Sequence, residues 1–120
     1  MTDLTTGMRP RGEYRLGFVN KTGGDLADVS AYYGEAKVGG VKEIPLRVKV
    51  NYSEPMVLPI PTEVELRWKE NGSLHTAKVK LQGVPNDFEG RIFFIIRADS
   101  IVDAHPIRNG DDKGAFQLMK

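Results

Sequence analysis

Between Thr62 and Gly83 the chain reads TEVELRWKENGSLHTAKVKLQG, with apolar and polar residues alternating on both sides of Asn71-Gly72. Asn-Gly best tolerates the positive φ that both centres of a type I′ turn require, so the segment predicts a β-hairpin with a two-residue loop. The turn then sets the register. Trp68 faces His75, Leu66 faces Ala77, Val64 faces Val79 and Thr62 faces Leu81 on an apolar face. On the opposite face Glu65 meets Lys78 and Glu63 meets Lys80, cross-strand pairs worth roughly 0.2–1 kcal/mol each. A slip of one residue would bury these charges and expose Val64, Leu66 and Trp68, so pattern and turn chemistry select the same register.

The same alternation recurs along the chain. Tyr14, Leu16 and Phe18 predict a strand from Glu13 to the turn-forming cluster Asn20–Asp25, and Leu26, Val29, Ala31 and Tyr33 predict a second that Gly34 ends. From Glu35 to Glu43 the pattern is weak and Gly39-Gly40 opposes a helix, so a loop is expected. Ile44, Leu46, Val48, Val50 and Tyr52 alternate with polar residues over nine positions, as a half-buried antiparallel strand with Pro45 at its start should. Pro55, Pro59 and Pro61 mark Met56–Ile60 as an irregular edge segment, and Val84–Gly90 reads as a loop. Arg91–Arg97, RIFFIIR, is apolar on both faces. Ile101–Ile107 contains Pro106 and reads as an edge strand, and the tail RNGDDKGAFQLMK has no strong pattern beyond Phe116, Leu118 and Met119, which could dock.

These elements predict an all-β chain: a single antiparallel β-sandwich of immunoglobulin-like type with about seven short strands and little or no helix. Residues 1–12 are expected as a mobile lead-in, 13–107 as the sandwich and 108–120 as a tail. The expected core is Leu16, Phe18, Val29, Leu46, Val48, Val64, Leu66, Trp68, Val79, Leu81, Ile92 and Phe94.

Composition narrows the function classes. A chain of 120 residues suffices for one domain with its own core. Seventeen Lys and Arg against sixteen Asp and Glu give a net charge of +1, which supplies no long-range field for nucleic acid. The absence of cysteine removes disulfides, thiolate nucleophiles and thiolate metal sites. No run of about 18 apolar residues exists to insert into a membrane. The location is expected to be periplasmic if Met1 stands in place of a removed signal sequence, and cytoplasmic otherwise.

Candidate chemistry is sparse. His75 is placed beside Trp68 as a packed residue, and His105 precedes Pro106 in an edge segment. No nucleophile or phosphate-cradle motif occurs, so neither an enzyme nor a cofactor is expected. Asp99, Asp103, Asp111 and Asp112 match no calcium-loop spacing, so no metal site is expected. Sequons begin at Asn20, Asn51 and Asn71, each near a strand end or turn.

The remaining candidates concern binding. If Ile92, Phe94 and Ile96 fill the core, Phe93 and Ile95 face the other way with Arg91 and Arg97 at the ends, an apolar centre with arginines as at interface hot spots. The competing reading is a central strand whose second face is covered by a loop or by Phe116, Leu118 and Met119. Tyr32 is a further candidate for contact with a protein. With Tyr33 or Tyr52 it could instead form a stacking platform for carbohydrate.

Two segments, GFVNKTGGDLADVSAYYG (Gly17–Gly34) and PIPTEVELRWKENGSLHTAKVKLQGVPNDFEGRIFFII (Pro59–Ile96), together about half of the chain, carry a resemblance to a known group. They resemble small β-sandwich proteins encoded beside bacterial type VI secretion effectors, some of which are immunity proteins that block a toxin in the periplasm. The resemblance implies a partner that is another protein, a secreted toxin or effector. It carries over no functional residue, and it leaves self-association open.

Overall fold

A computed structural model describes residues 12–81, 83–85 and 87–118. Among them eight strands run β1 Tyr14–Lys21, β2 Leu26–Tyr33, β3 Ala36–Ile44, β4 Val50–Tyr52, β5 Glu63–Glu70, β6 Ser73–Lys80, β7 Gly90–Arg97 and β8 Ile101–Arg108. A 3₁₀ turn, Ala98–Ser100, precedes β8, and one short helix, α1, spans Asp112–Leu118. The strands form two four-stranded sheets ordered β4-β1-β7-β8 and β3-β2-β5-β6.

The hairpin β5–β6 has the register its turn specifies, from Glu70 opposite Ser73 through Trp68 opposite His75 to Glu63 opposite Lys80. Asn71 and Gly72 take φ of 53° and 80°, the left-handed values of the type I′ turn. Inward residues of both sheets share one core, with Leu16, Phe18, Ile92, Phe94 and Ile96 from one and Val29, Val64, Leu66, Trp68 and Val79 from the other. Trp68 lies flat against His75 with ring centroids 5.8 Å apart, and Phe18 stacks on Phe94 at 5.9 Å.

Several expectations are corrected. β1 and β7 pair in parallel, from Tyr14 opposite Gly90 to Lys21 opposite Arg97, so the fold is not wholly antiparallel. Both strands are apolar on two faces, which is what a parallel pair in the middle of a sheet requires. Glu35–Glu43 is not a loop, because β3 pairs there with β2. Gly40 admits the pairing, since a Cβ at that position would lie 2.4 Å from the Val29 carbonyl oxygen.

The nine-residue strand expected from Ile44 to Tyr52 is broken by a turn. Val48 N and Lys49 N both donate to the Pro45 carbonyl at 3.0 Å, and Leu46 N donates to Asp25 Oδ1 at 2.8 Å. Leu46 and Val48 therefore leave the core, with 40 % and 57 % of their surface exposed. The patternless tail contains α1, whose Ala115 is buried. The expected mobile lead-in, apart from Gly12, and Met119 lie outside the described residues.

Polar side chains complete the joints. Asn20 is buried at the end of β1, where its amide donates to the carbonyls of Gly24 and Ile44 and its oxygen accepts from Thr22 N and Oγ1. That commitment takes Asn20 out of consideration as a glycan acceptor in the folded chain. The edges of the two sheets also meet. Asn51 Nδ2 in β4 donates to the Glu43 carbonyl in β3 at 3.1 Å, and His75 in β6 lies 3.0 Å from Ser100 Oγ, just before β8.

Tyr14 and Tyr33 bond hydroxyl to hydroxyl at 2.7 Å, and Tyr14 donates its single proton to the Leu58 carbonyl at 2.9 Å, so Tyr33 is the donor in the pair. Burial pushes both phenols above their usual range, and donation to Tyr14 raises Tyr33 further. A group held more tightly protonated in the folded state stabilises fully below its unfolded pKa and loses that contribution as pH rises through and past it. Denaturation by urea at a series of pH values should show stability falling above about pH 10, the unfolded tyrosine value. Tyr33→Phe should make the fall shallower, and an unchanged slope would show that the pair does not govern it.

Candidate functional site

The two residues at the centre of RIFFIIR are not on the surface. Phe93 is 0 % exposed and Ile95 2 %, and together with Val19 and Ala115 they form a second buried cluster on the outer side of the β4-β1-β7-β8 sheet. Tyr52 packs edge-on against Phe93 at 5.9 Å, and Val50, Ile107 and Leu118 close the margin. The reading in which the tail covers this strand is therefore the correct one, with Leu118 and Ala115 as the covering side chains and Phe116 turned outward. With α1 in place neither Phe93 nor Ile95 reaches the surface. Arg91 lies over the Phe93 ring at 5.4 Å and 3.8 Å from Asp112, and Arg97 is paired with Asp103 at 2.9 Å. The two arginines thus anchor the strand's ends locally.

Tyr32 has a different setting. The outer face of the β3-β2-β5-β6 sheet is polar, and the half-buried Tyr32 stands on it opposite Glu65 of β5 and Lys37 of β3. The Arg67 guanidinium lies 4.1 Å from the centre of the Tyr32 ring, and Glu65 holds Arg67 through a 2.6 Å bond from Nε. That bond is the main reason the Arg67 guanidinium is held above its already high pKa. Tyrosine, arginine and glutamate thus form one connected unit. Beside it a groove of about 620 Å³ runs over Gly39 and Gly40, lined also by Ser30, Asp28, Lys37 and Lys42.

The three tyrosines considered for carbohydrate do not form one platform. Tyr33 points into the core edge and spends its hydroxyl on Tyr14, Tyr52 belongs to the other sheet and packs on Phe93, and Tyr32 has one ring face under Arg67. Among the described residues no group of three or more His, Cys, Asp or Glu side chains converges as a metal site would need. Nor is any described helix long and apolar enough to cross a membrane.

His75 and Ser100 meet the nucleophile–base distance at 3.0 Å, although His75 is also stacked on Trp68. No described residue bonds the second ring nitrogen, so the orienting member of a triad is missing from the described residues. His105 stands in β8 opposite Phe93 and has no described acid or hydroxyl bonded to it.

Arg67, Lys37, Lys42 and the Gly39-Gly40 groove carry no site signal in the sequence. Arg67 could have been placed on the polar face of the hairpin by its alternation with Leu66 and Trp68. Its position over Tyr32 depends on the β2–β5 pairing, which neither strand signals locally.

No protein-family model and no curated protein matches the chain. Among solved structures, an NMR structure of a protein from Eubacterium rectale is similar over 87 % of this chain and 95 % of that one, at 12 % identity and a TM-score of 0.42.

The burial of Phe93 predicts a large loss of stability where a surface hot spot would predict almost none. Phe93→Ala should destabilise the chain by roughly 3–5 kcal/mol in urea denaturation, as emptying a large core site does. A cost below about 1 kcal/mol would mean that the outer cluster opens to solvent.

Proposed function

We propose that this chain is a non-enzymatic protein-binding domain that recognises an acidic protein surface through the outer face of the β3-β2-β5-β6 sheet. The observation that carries the proposal is the Tyr32–Arg67–Glu65 unit. Tyr and Arg are the residues most enriched at hot spots, and an arginine already ordered by stacking and by a carboxylate loses less freedom on binding. Cations exceed acids on this face, with Lys37, Lys42, Arg67, Lys69, Lys78 and Lys80 against Asp28, Glu43, Glu63 and Glu65. Asn51–Glu43 and His75–Ser100 link the two sheets at their margins and hold the face on a fixed frame.

The proposal extends to the setting that the sequence resemblance implies: a toxin-inhibiting immunity protein of the type VI secretion kind, acting on a secreted effector in the periplasm. Within it the fold is read as immunoglobulin-like in the broad sense of two face-packed sheets around a buried tryptophan. Its sheet membership is its own, since β1 and β2 lie in different sheets.

The test begins by capturing a protein with the wild-type chain from its native host and titrating the purified pair by calorimetry. Tyr32→Ala and Arg67→Ala should each weaken binding at least tenfold, about 1.4 kcal/mol, while leaving the thermal midpoint nearly unchanged. Capture of nothing, or equal affinity for both variants and the wild type, would refute the proposal.

One observation favours a second reading, a hydrolase built on the 3.0 Å contact between His75 and Ser100. Under the binding-protein reading, Ser100→Ala leaves any slow turnover of p-nitrophenyl acetate unchanged. A loss of tenfold or more would move the assignment to the hydrolase.

A further inference from the structure

We propose that the outer face of the β4-β1-β7-β8 sheet is a helix-docking site, closed in its own chain by α1 and open to exchange with α1 of a second copy. This inference uses the sheet opposite to the Tyr32 face and does not depend on the reading of that face. The docking surface has an apolar centre, built from Val19, Phe93 and Ile95 with Tyr52, Val50 and Ile107 at its margin. Such a surface needs a cover, and α1 supplies a slight one. Only Ala115 is buried and Leu118 partly so, whereas Phe116 remains 64 % exposed. Among the described residues the ion pair from α1 to the body, Arg91 to Asp112, is 3.8 Å long, and the Asp112 side chain is 94 % exposed.

The helix cannot hold itself. It has seven residues with Gly114 among them, and helices shorter than about 12–15 residues are marginal in water, so α1 owes its form to the face it lies on. Its cap travels with it, because Gly114 N donates to Asp111 Oδ1 at 3.0 Å and Ala115 N to the Asp111 carbonyl at 3.3 Å. Three residues, Asn109 to Asp111, join it to β8, and the chain reverses there with Gly110 at φ 90°. Straightening that hinge moves α1 as a unit away from its own sheet. On a second copy it regains the same contacts: a small residue at 115, a leucine three positions on, and an acid at 112 facing Arg91. Exchange of an identical element conserves the contacts between helix and sheet and gives up only those of the hinge, such as the 3.1 Å bond from Asp111 N to the Arg108 carbonyl, which is why it is a low-cost route to a dimer.

Gly110→Val tests the hinge, since φ near 90° is closed to a β-branched residue while the site has room for the side chain. At equal concentration this variant should raise the dimer fraction at least tenfold over the wild type in size exclusion with light scattering, with an unchanged circular dichroism spectrum. Adding Ala115→Asp to it should return the chain to monomer. A Gly110→Val variant that stays folded and monomeric refutes the proposal, as does a dimer that survives Ala115→Asp, whose interface would lie elsewhere. If Gly110→Val does not fold, the full-length Ala115→Asp chain is titrated with a labelled peptide of residues 109–120. The peptide should bind it at least tenfold more tightly than it binds the wild type. Failure to bind, or an Ala115→Asp chain that unfolds, shows that α1 is an inseparable part of the core.

Discussion

β7 carries five consecutive apolar side chains, Ile92 to Ile96, and both of its faces must therefore be kept from water. On the inner side Phe94 stacks on Phe18, and Ile92 and Ile96 join Leu66 and Trp68 of the second sheet in one core. On the outer side Phe93 and Ile95 need a separate cover, which the end of the chain supplies. The parallel partner follows from the same constraint. β1 also has buried apolar residues on both faces, and its Val19 belongs to the outer cluster. The more polar strands β4 and β8 are left at the edges, where one side faces water.

The two outer faces consequently differ in kind. That of the β3-β2-β5-β6 sheet is made by the polar half of an alternating pattern, so it is solvated, charged and rigidly supported from below by Val64, Leu66 and Trp68. A binding unit there, such as Tyr32 with Arg67, loses nothing of the core when it engages a partner. That of the β4-β1-β7-β8 sheet has an apolar centre covered by a helix too short to be stable alone. Contact through the first face adds an interaction to a finished fold, whereas contact through the second requires the fold to open.

One buried group stands outside this account. Trp68 Nε1 has no hydrogen-bond partner among the described residues. An unmet donor of this kind costs about 1–3 kcal/mol, and stacking on His75 together with the burial of a large ring outweighs it.

The hairpin of β5 and β6 was legible in full from the residues, because the φ values of Asn71 and Gly72 and the alternation around them are local properties that leave one register. The place of Tyr32 on the polar side of β2 and the double-sided burial of RIFFIIR were legible as alternatives for the same reason. What lies opposite a residue is not a local property. Leu46 and Val48 alternate as strand residues do, yet Asp25 and the Pro45 carbonyl fold them into a turn at the surface. Gly39-Gly40 looks like a loop, yet the closeness of the Val29 backbone makes glycine the residue that permits pairing. Arg67 reaches Tyr32 only because β2 and β5 are neighbours, and α1 forms only because an apolar face waits beneath it. Local dihedral preference and side-chain alternation belong to short stretches of chain and can be read there. Burial is settled by surfaces that distant segments bring together.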